Sequence, residues 1–193
     1  MERARALRLG YGNDDGVDMG PLVNQKALDK VSGYMDVARE DGATVALGGE
    51  RATGDGLDDG FFFQPTLLTG VTPEMRVARE EIFGPVLSVL KVGSFDEAIE
   101  VANSVKYGLS SAVYTRDVAR AFRALRDIDA GITYVNGPTI GAEAHMSFGG
   151  VKATGNGHRE GGWEVYDFYT ETKTCYIDFS GGLQRAQIDN YDD

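Results

Sequence analysis

Two neighbouring carboxylates, Glu80 and Glu81, precede an aromatic residue and a Gly-Pro turn in the stretch EEIFGPVLSVL. The apolar residues from Val86 onward predict a strand, so the carboxylates lie at its entry. Ligands of open α/β sheets bind where strand ends and loops converge. A carboxylate there can accept two hydrogen bonds from a ribose diol, and Phe83 can pack on a flat ring. The alternative is a solvated charge pair beside a core phenylalanine.

The thiol and the imidazoles offer little further chemistry. The chain has one cysteine, Cys175, and two histidines, His145 and His158, which excludes a disulfide framework and argues against a Cys/His zinc site. Cys175 lies in an alternating stretch between Thr174 and Tyr176. We therefore interpret it as a packed residue rather than an activated nucleophile. We expect both histidines at the surface or in loop packing, and not as catalytic bases.

The segment GNGHREGG is the nearest approach to a phosphate-binding loop. Gly155 and Gly157 are followed by Glu160 before the next glycine, Gly161, so the G-x-G-x-x-G spacing is not met. No strand pattern directly precedes the segment either. We predict instead a structural turn that leads into a short helix, WEVYDFY, whose aromatic residues, beginning with Trp163, have the spacing of a core face.

Strand and helix patterns alternate through the middle of the chain. Strand patterns cover residues 85–92, 110–115 and 131–137, and helical patterns cover residues 94–105 and 117–128. Strands that alternate with helices through short connections are typical of α/β proteins. The sequence therefore predicts an α/β fold with a mostly parallel sheet and flanking helices.

Single positions predict how some elements begin and pack. Asn24 is the expected N-cap of the first long helix, and Ser94 with Glu97 forms an expected capping box. Pro65 predicts that the extended stretch FFFQPTLLTGV lies at a sheet edge. The helix at 117–128 carries one apolar face, made of Val118, Ala121, Phe122, Leu125 and Ile128.

The composition excludes several classes of partner. The 193 residues carry a formal net charge of -11, which argues against nucleic acid and anionic membranes as partners. No run of eighteen apolar residues and no signal-peptide core is present, so we expect a cytoplasmic protein with no membrane span. The many aspartates favour adaptation to a high-salt cytoplasm over an ordinary acidic bacterial protein. A melting temperature unchanged by molar KCl would contradict that hypothesis.

Several motifs together resemble one family, the aldehyde dehydrogenase superfamily, in the C-terminal part of its catalytic domain. The matching stretches are DMGPLVN, DGFFFQPTLL, EEIFGPVLSVLKV, NSVKYGLSSAVYTRD, AGITYVNG and SFGGVKATGNGHREGG. The resemblance runs from the first helix to about Phe179. Within the superfamily, NGPTIGAEAH and the tail YIDFSGGLQRAQIDN look most like the group that oxidises 2-oxoglutarate semialdehyde, also called 2,5-dioxopentanoate.

The resemblance implies roles for five residues. Glu81 would hold the nicotinamide-side ribose of NAD or NADP, Phe83 would lie against the nicotinamide region, and Leu109 would lie near the nicotinamide pocket. Phe148 would line the substrate tunnel. Thr139 belongs to the loop 137–147, which would form the tunnel mouth and tune the choice of substrate.

The resemblance also implies what this chain lacks. The family's nucleophilic cysteine, its general-base glutamate and its Rossmann domain lie upstream of the segment matched here, so we expect the chain alone to be inactive. We expect residues 1–170 to be a partial catalytic domain, residues 171–180 an oligomerisation strand of a homo-oligomeric parent enzyme, and residues 181–193 an acidic tail. Two alternatives stay open: a non-catalytic assembly or regulatory subunit that pairs with a separate N-terminal half, and a pseudogene product without a partner.

Overall fold

The computed structural model describes residues 1–141 and 143–182 as short helices and small sheets. Helices α1 to α6 span Glu2–Arg5, Gln25–Glu40, Arg76–Arg79, Phe95–Asn103, Val118–Asp127 and Glu164–Tyr169. Strands β1 to β7 span Thr44–Leu47, Thr66–Val71, Val86–Leu90, Tyr107–Gly108, Ser110–Val113, Ile132–Val135 and Val151–Lys152. The α/β class predicted from the alternating patterns is confirmed.

The sheets are mixed, and the mostly parallel sheet that the sequence predicts does not form in the described residues. Strand β2 lies between β1, to which it is antiparallel, and β3, to which it is parallel. Strands β5 and β6 form a separate parallel pair, and β4 pairs with β7 in the antiparallel sense. A parallel pair needs a crossover, which α5 provides for β5 and β6. The polar loop between β1 and β2 holds no helix, so those strands pair antiparallel.

The expectation that Pro65 marks a sheet edge is wrong, because β2 is the central strand of its sheet. Pro65 stands one residue before the strand begins. The first ladder donor on this side is Thr66, whose N–H donates to the Pro85 carbonyl at 2.8 Å. The missing proline N–H therefore costs no ladder hydrogen bond.

The main hydrophobic core lies between α2 and the β1–β2–β3 sheet. Asn24 caps α2 as predicted, since its Oδ1 accepts from the Ala27 N–H at 2.9 Å. The apolar stripe of α2 is buried and packs with residues of the sheet and its loops; the buried members of this core are Leu28, Val31, Met35, Ala38, Ala43, Phe63, Leu68, Val71, Val77 and Ile82. This core fixes the position of the turn that precedes β3.

The second half of the chain carries its helix caps but buries less. The Ser94 hydroxyl accepts from the Glu97 N–H at 3.1 Å, whereas the Glu97 carboxylate accepts from Gly93 rather than closing a capping box on Ser94. On α5 only the small residues Ala121 and Ala124 are buried. Of the large members of its apolar face, Val118, Phe122 and Leu125 are exposed, with Phe122 at 69%, and Ile128 is half-buried.

The end of the described chain corrects two predictions and leaves a third as a prediction. Residues 171–179 form no strand and pair with no other strand of the described residues, so the expected oligomerisation strand, which needs a partner subunit, stays a prediction. Cys175 is exposed, so its interpretation as a packed residue is wrong. Trp163 is exposed, as are Tyr166 and Tyr169, so their spacing does not mark a buried face here. The expected acidic tail falls mostly on residues 183–193, which lie outside the described residues.

Among the helices of the described segments, none has the length and apolar character that crossing a membrane requires.

Candidate functional site

The turn between α3 and β3 exposes the two residues predicted to contact a cofactor. The Glu81 side chain is exposed, and the Phe83 ring keeps 74% of its surface accessible. Phe83 also has φ of 57°, in the left-handed region, which few residues other than glycine, asparagine and aspartate adopt. The alternative of a core phenylalanine is therefore wrong, since the ring points away from the core that lies directly beneath it.

The neighbouring carboxylate, Glu80, is engaged rather than free. It accepts from the Tyr34 hydroxyl at 2.9 Å and from the guanidinium of Arg76, one helical turn earlier, at 2.9 Å. The hydrogen bonds from Arg76, and then from Tyr34, hold the pKa of Glu80 below its ordinary value. Burial, followed by the hydrogen bond to Glu80, raises the pKa of Tyr34. The two carboxylates therefore differ in kind, because Glu80 is ion-paired and Glu81 is available to a ligand.

Helix α2 also contacts the backbone of the turn. The Lys30 ammonium donates to the Glu81 carbonyl at 2.8 Å. Ile82 is buried in the core. Gly84 lies so close to Val31 that a β-carbon at this position would collide with the valine methyl groups. The turn is thus fixed at the residues on either side of Phe83.

A second group of predicted residues meets at a cavity in the other half of the chain. Leu109 follows β4, and Phe148 is held by two backbone hydrogen bonds with Glu160, at 2.5 and 2.7 Å. Both side chains line a cavity of about 490 Å³, together with His158, Arg159 and Phe168 among others. The imidazole of His158 packs edge-on against Phe168, with 5.4 Å between ring centres, so it is a loop-packing residue as expected.

The loop that carries Thr139 lies next to this cavity. The Ser110 hydroxyl on β5 donates to the Thr139 carbonyl at 3.4 Å, and Tyr134 donates to the Gly141 carbonyl. Phe148 lines a second cavity of about 370 Å³ with Ile140 and other residues of this loop. The structure therefore brings Leu109, Phe148 and the Thr139 loop together. Glu81 and Phe83 lie outside both cavities, at the entry to a different sheet.

Sequence reasoning missed the partners of Glu80. The spacing of Arg76 and Glu80 is the i,i+4 spacing of a helical ion pair, so that contact could have been found. The contact with Tyr34 spans 46 positions, and no local pattern contains it. For metal binding, the described segments contain no group of three or more histidine, cysteine, aspartate or glutamate side chains placed to share an ion.

Comparison with known proteins identifies the class to which this fold and turn belong. The model of the aldehyde dehydrogenase family matches residues 1–175, and the chain belongs to that family. The chain is 42% identical over 178 residues to a betaine aldehyde dehydrogenase of Mesorhizobium japonicum. It is equally identical, over 177 residues, to an alpha-ketoglutarate semialdehyde dehydrogenase of Haloferax volcanii. The two matches include 92% and 91% of this chain but only 36% of each relative.

A solved structure agrees with this placement. The betaine aldehyde dehydrogenase of Staphylococcus aureus, crystallised with NAD+, superimposes with a TM-score of 0.83 at 38% identity. The match covers 87% of this chain and 33% of the crystallised chain. The chain thus spans about a third of the length of its relatives. Because a betaine and a semialdehyde relative are equally identical, overall similarity favours neither substrate.

Proposed function

We propose that this chain is the C-terminal catalytic-domain portion of an NAD(P)-dependent aldehyde dehydrogenase. In the parent reaction an aldehyde, water and NAD(P)+ give a carboxylate, NAD(P)H and two protons. The observation that carries the proposal is the turn at residues 80–84, which presents Glu81 and Phe83 from a firmly held backbone, in a chain whose family membership is established. That geometry suits a carboxylate that binds a ribose diol and a ring that packs on a flat heterocycle.

Each predicted residue has a role in this proposal. When bound, NAD(P)+ accepts the hydride of the substrate. Glu81 would accept hydrogen bonds from the ribose diol and so help to position the nicotinamide. Phe83 would pack against the nicotinamide region, and Leu109 would lie near the nicotinamide pocket. Phe148 bounds the substrate channel and excludes water from it.

The nucleophile and the general base of the family belong to the part that this chain does not cover. We therefore expect purified chain to show no NAD(P)-dependent aldehyde oxidation. Cys175 does not replace the nucleophile, because it lies on an exposed, unpaired segment rather than in the cavity with Phe148. Turnover by the chain alone would contradict this part of the proposal.

The decisive experiment uses a completed enzyme, in which this chain is joined to the part of the Haloferax volcanii relative that it does not cover. We expect Glu81→Gln to weaken nicotinamide positioning and to slow hydride transfer, measured by single-turnover kinetics. The matched control is Glu100→Gln, which changes an exposed carboxylate on α4 and should leave the rate unaltered. An unchanged rate for Glu81→Gln would remove its assigned role.

For the substrate we propose 2-oxoglutarate semialdehyde. The support is the sequence of the loop around Thr139, NGPTIGAEAH, which resembles that of the group oxidising this semialdehyde. The completed enzyme should have a higher kcat/KM for this semialdehyde than for betaine aldehyde, since the anionic and cationic substrates make opposite demands on the tunnel mouth. The reverse preference would reject this substrate while leaving the family function intact.

A second candidate function is that of an assembly or regulatory subunit that pairs with a separate N-terminal half. The observation that favours it is the exposed apolar face of α5, with Val118 71% and Phe122 69% accessible, because such faces mark interaction sites. Size-exclusion chromatography of the chain mixed with the uncovered part of the relative tests it. A stable but inactive complex favours the subunit, whereas a complex that regains activity favours a divided enzyme.

We also propose that residues 171–180 pair with the sheet of another subunit in a homo-oligomeric parent. Residues 171–179 have no strand partner among the residues that the structure describes, and Tyr176, Ile177 and Phe179 are exposed. An unpaired segment of this kind is a template for strand addition. Deleting residues 171–180 from the completed enzyme should lower its oligomeric state, measured by light scattering.

A further inference from the structure

We infer that Tyr34 and Glu80 are positioning residues that hold the turn at residues 80–84 in the conformation that presents Glu81 and Phe83 together. In the proposed function, neither Tyr34 nor Glu80 contacts the cofactor or the substrate. The effect on the cofactor rests on the proposed function, whereas the effect on the backbone of the turn stands on the geometry alone.

The first link is a side-chain bridge between α2 and the start of the turn. The Tyr34 hydroxyl donates to one oxygen of the Glu80 carboxylate, and Arg76 donates to both oxygens. Two cations lie near the ring of Tyr34, with the Lys30 ammonium 5.9 Å and the Arg76 guanidinium 6.0 Å from its centre. Because α2 is anchored in the core, this bridge ties the start of the turn to a rigid element.

The second link is the contact of α2 with the rest of the turn. One turn of this helix supplies Lys30, which holds the Glu81 carbonyl, and Val31, which packs on Gly84. Between them the Ile82 side chain is buried in the core. Residues 80, 81, 82 and 84 are therefore all fixed, and Phe83 is the residue between them with no anchor of its own.

The left-handed conformation of Phe83 follows from these anchors. A phenylalanine in this region is strained, and strained conformations persist only where the surroundings determine them. Loss of the Tyr34–Glu80 hydrogen bond removes the side-chain tie between α2 and the first residue of the turn and leaves the Glu80 carboxylate held by Arg76 alone. Phe83 can then relax to an ordinary φ. Such a change re-aims both the ring and the neighbouring Glu81 carboxylate, so Tyr34 acts on the site without touching it.

A merely stabilising hydrogen bond would behave differently. Its loss would lower the free energy of unfolding but leave the backbone of Phe83 unchanged in the folded protein. The two cases are separated by a measurement at Phe83 itself, made on the full chain under conditions where it stays folded.

The experiment is NMR of the full chain, with the ¹³C shifts and the three-bond HN–Hα coupling of Phe83 as readout. In the unaltered chain these values should be those of a residue in the left-handed region. Values typical of an ordinary helical or extended residue would overturn the inference at once. In Tyr34→Phe, which keeps the ring and removes the hydroxyl, they should move toward ordinary values. Tyr114→Phe is the control, since Tyr114 is 68% exposed and lies at the end of β5.

Unchanged Phe83 values in folded Tyr34→Phe would also overturn the inference. If Tyr34→Phe does not fold, Glu80→Gln is the second variant, because its amide keeps the side-chain shape while losing the charged acceptor. In the completed enzyme, Tyr34→Phe should lower kcat/KM for NAD(P) by up to about 100-fold with KM for the aldehyde unchanged. If Glu81→Gln is silent there, the proposed cofactor role fails, whereas the NMR result still decides the positioning role.

Discussion

Helices α2 and α5 have similar apolar stripes but opposite surroundings. On α2 the stripe is covered, and Val31 and Met35 are almost completely buried under the β1–β2–β3 sheet. On α5 the stripe faces outward, and only two alanines are buried. Strand β3 shows the same contrast on its own, since Leu87 is 62% exposed while its neighbours contact the core.

The difference teaches that an amphipathic stripe predicts an apolar face but not the location of its cover. The β5–β6 pair beside α5 has two strands, and an isolated two-stranded sheet is marginal in water. The three-stranded sheet beside α2 has enough width to cover a helix. This chain spans about a third of the length of its relatives. The exposure of the apolar face of α5 is consistent with a cover supplied, in those relatives, by the part that this chain does not match.

The largest expected effect tests the contrast directly. Phe63→Ala removes a core ring that is 2% exposed and should lower the free energy of unfolding by about 3–5 kcal/mol. The matched change on α5, Phe122→Ala, should alter it by less than about 0.5 kcal/mol. Guanidinium unfolding followed by circular dichroism measures both. Equal costs would mean that α5 is covered in solution by another copy of the chain.

A smaller effect sharpens the contrast through the helix caps. Asn24 caps α2, and Asp117 caps α5 by accepting from the Ala119 and Arg120 N–H groups at 2.9 and 3.2 Å. Each change to alanine removes one cap, which is worth about 1 kcal/mol. We expect Asn24→Ala to weaken the main unfolding transition. Asp117→Ala should instead raise hydrogen exchange only in residues 118–127, and a global effect would show that the halves unfold together.

The smallest expected effect concerns acid. The pKa of Glu80 is lowered in the folded chain, chiefly by the hydrogen bond from Arg76. This group therefore stabilises the fold above the ordinary glutamate pKa of about 4.3, and the stabilisation is lost as the pH falls through the lower folded value. Glu80→Gln should reduce the pH dependence of the free energy of local unfolding around α2 in the acid range.

The matched group in the other half is Asp127. Its pKa is lowered chiefly by the hydrogen bond from Arg126, so Asp127→Asn should flatten the acid limb around α5 and leave that around α2 unchanged. Hydrogen exchange between pH 2 and pH 6 would resolve the two regions. An acid limb around α2 that is unaltered in Glu80→Gln would contradict the assignment of that ion pair.

Local chemistry made some of the fold predictable. Two helix starts were predictable, those capped by Asn24 and Ser94. Each cap depends on a hydrogen bond between residues less than four positions apart, so the local sequence indicates it. The burial of the α5 face and the central position of β2 depend on distant segments. The apolar stripe of α5 therefore did not predict exposure, and Pro65 wrongly predicted a sheet edge. At the candidate site, a sequence motif pointed to Glu81 and Phe83, which the structure shows exposed, and their roles toward a cofactor stay predictions. Tyr34 was not, because its partner is 46 positions away and only the packing of α2 joins them.

The exposed segment after α6 gives the chain an unusual practical property. The sequence holds one tryptophan and one cysteine, and Trp163 and Cys175 both face solvent. A maleimide dye would attach at Cys175 without mutagenesis and would accept excitation energy from Trp163. The two residues are twelve positions apart, which limits their separation to about 40 Å. Resonance energy transfer across this natural pair would test whether residues 171–179 settle on a neighbouring subunit.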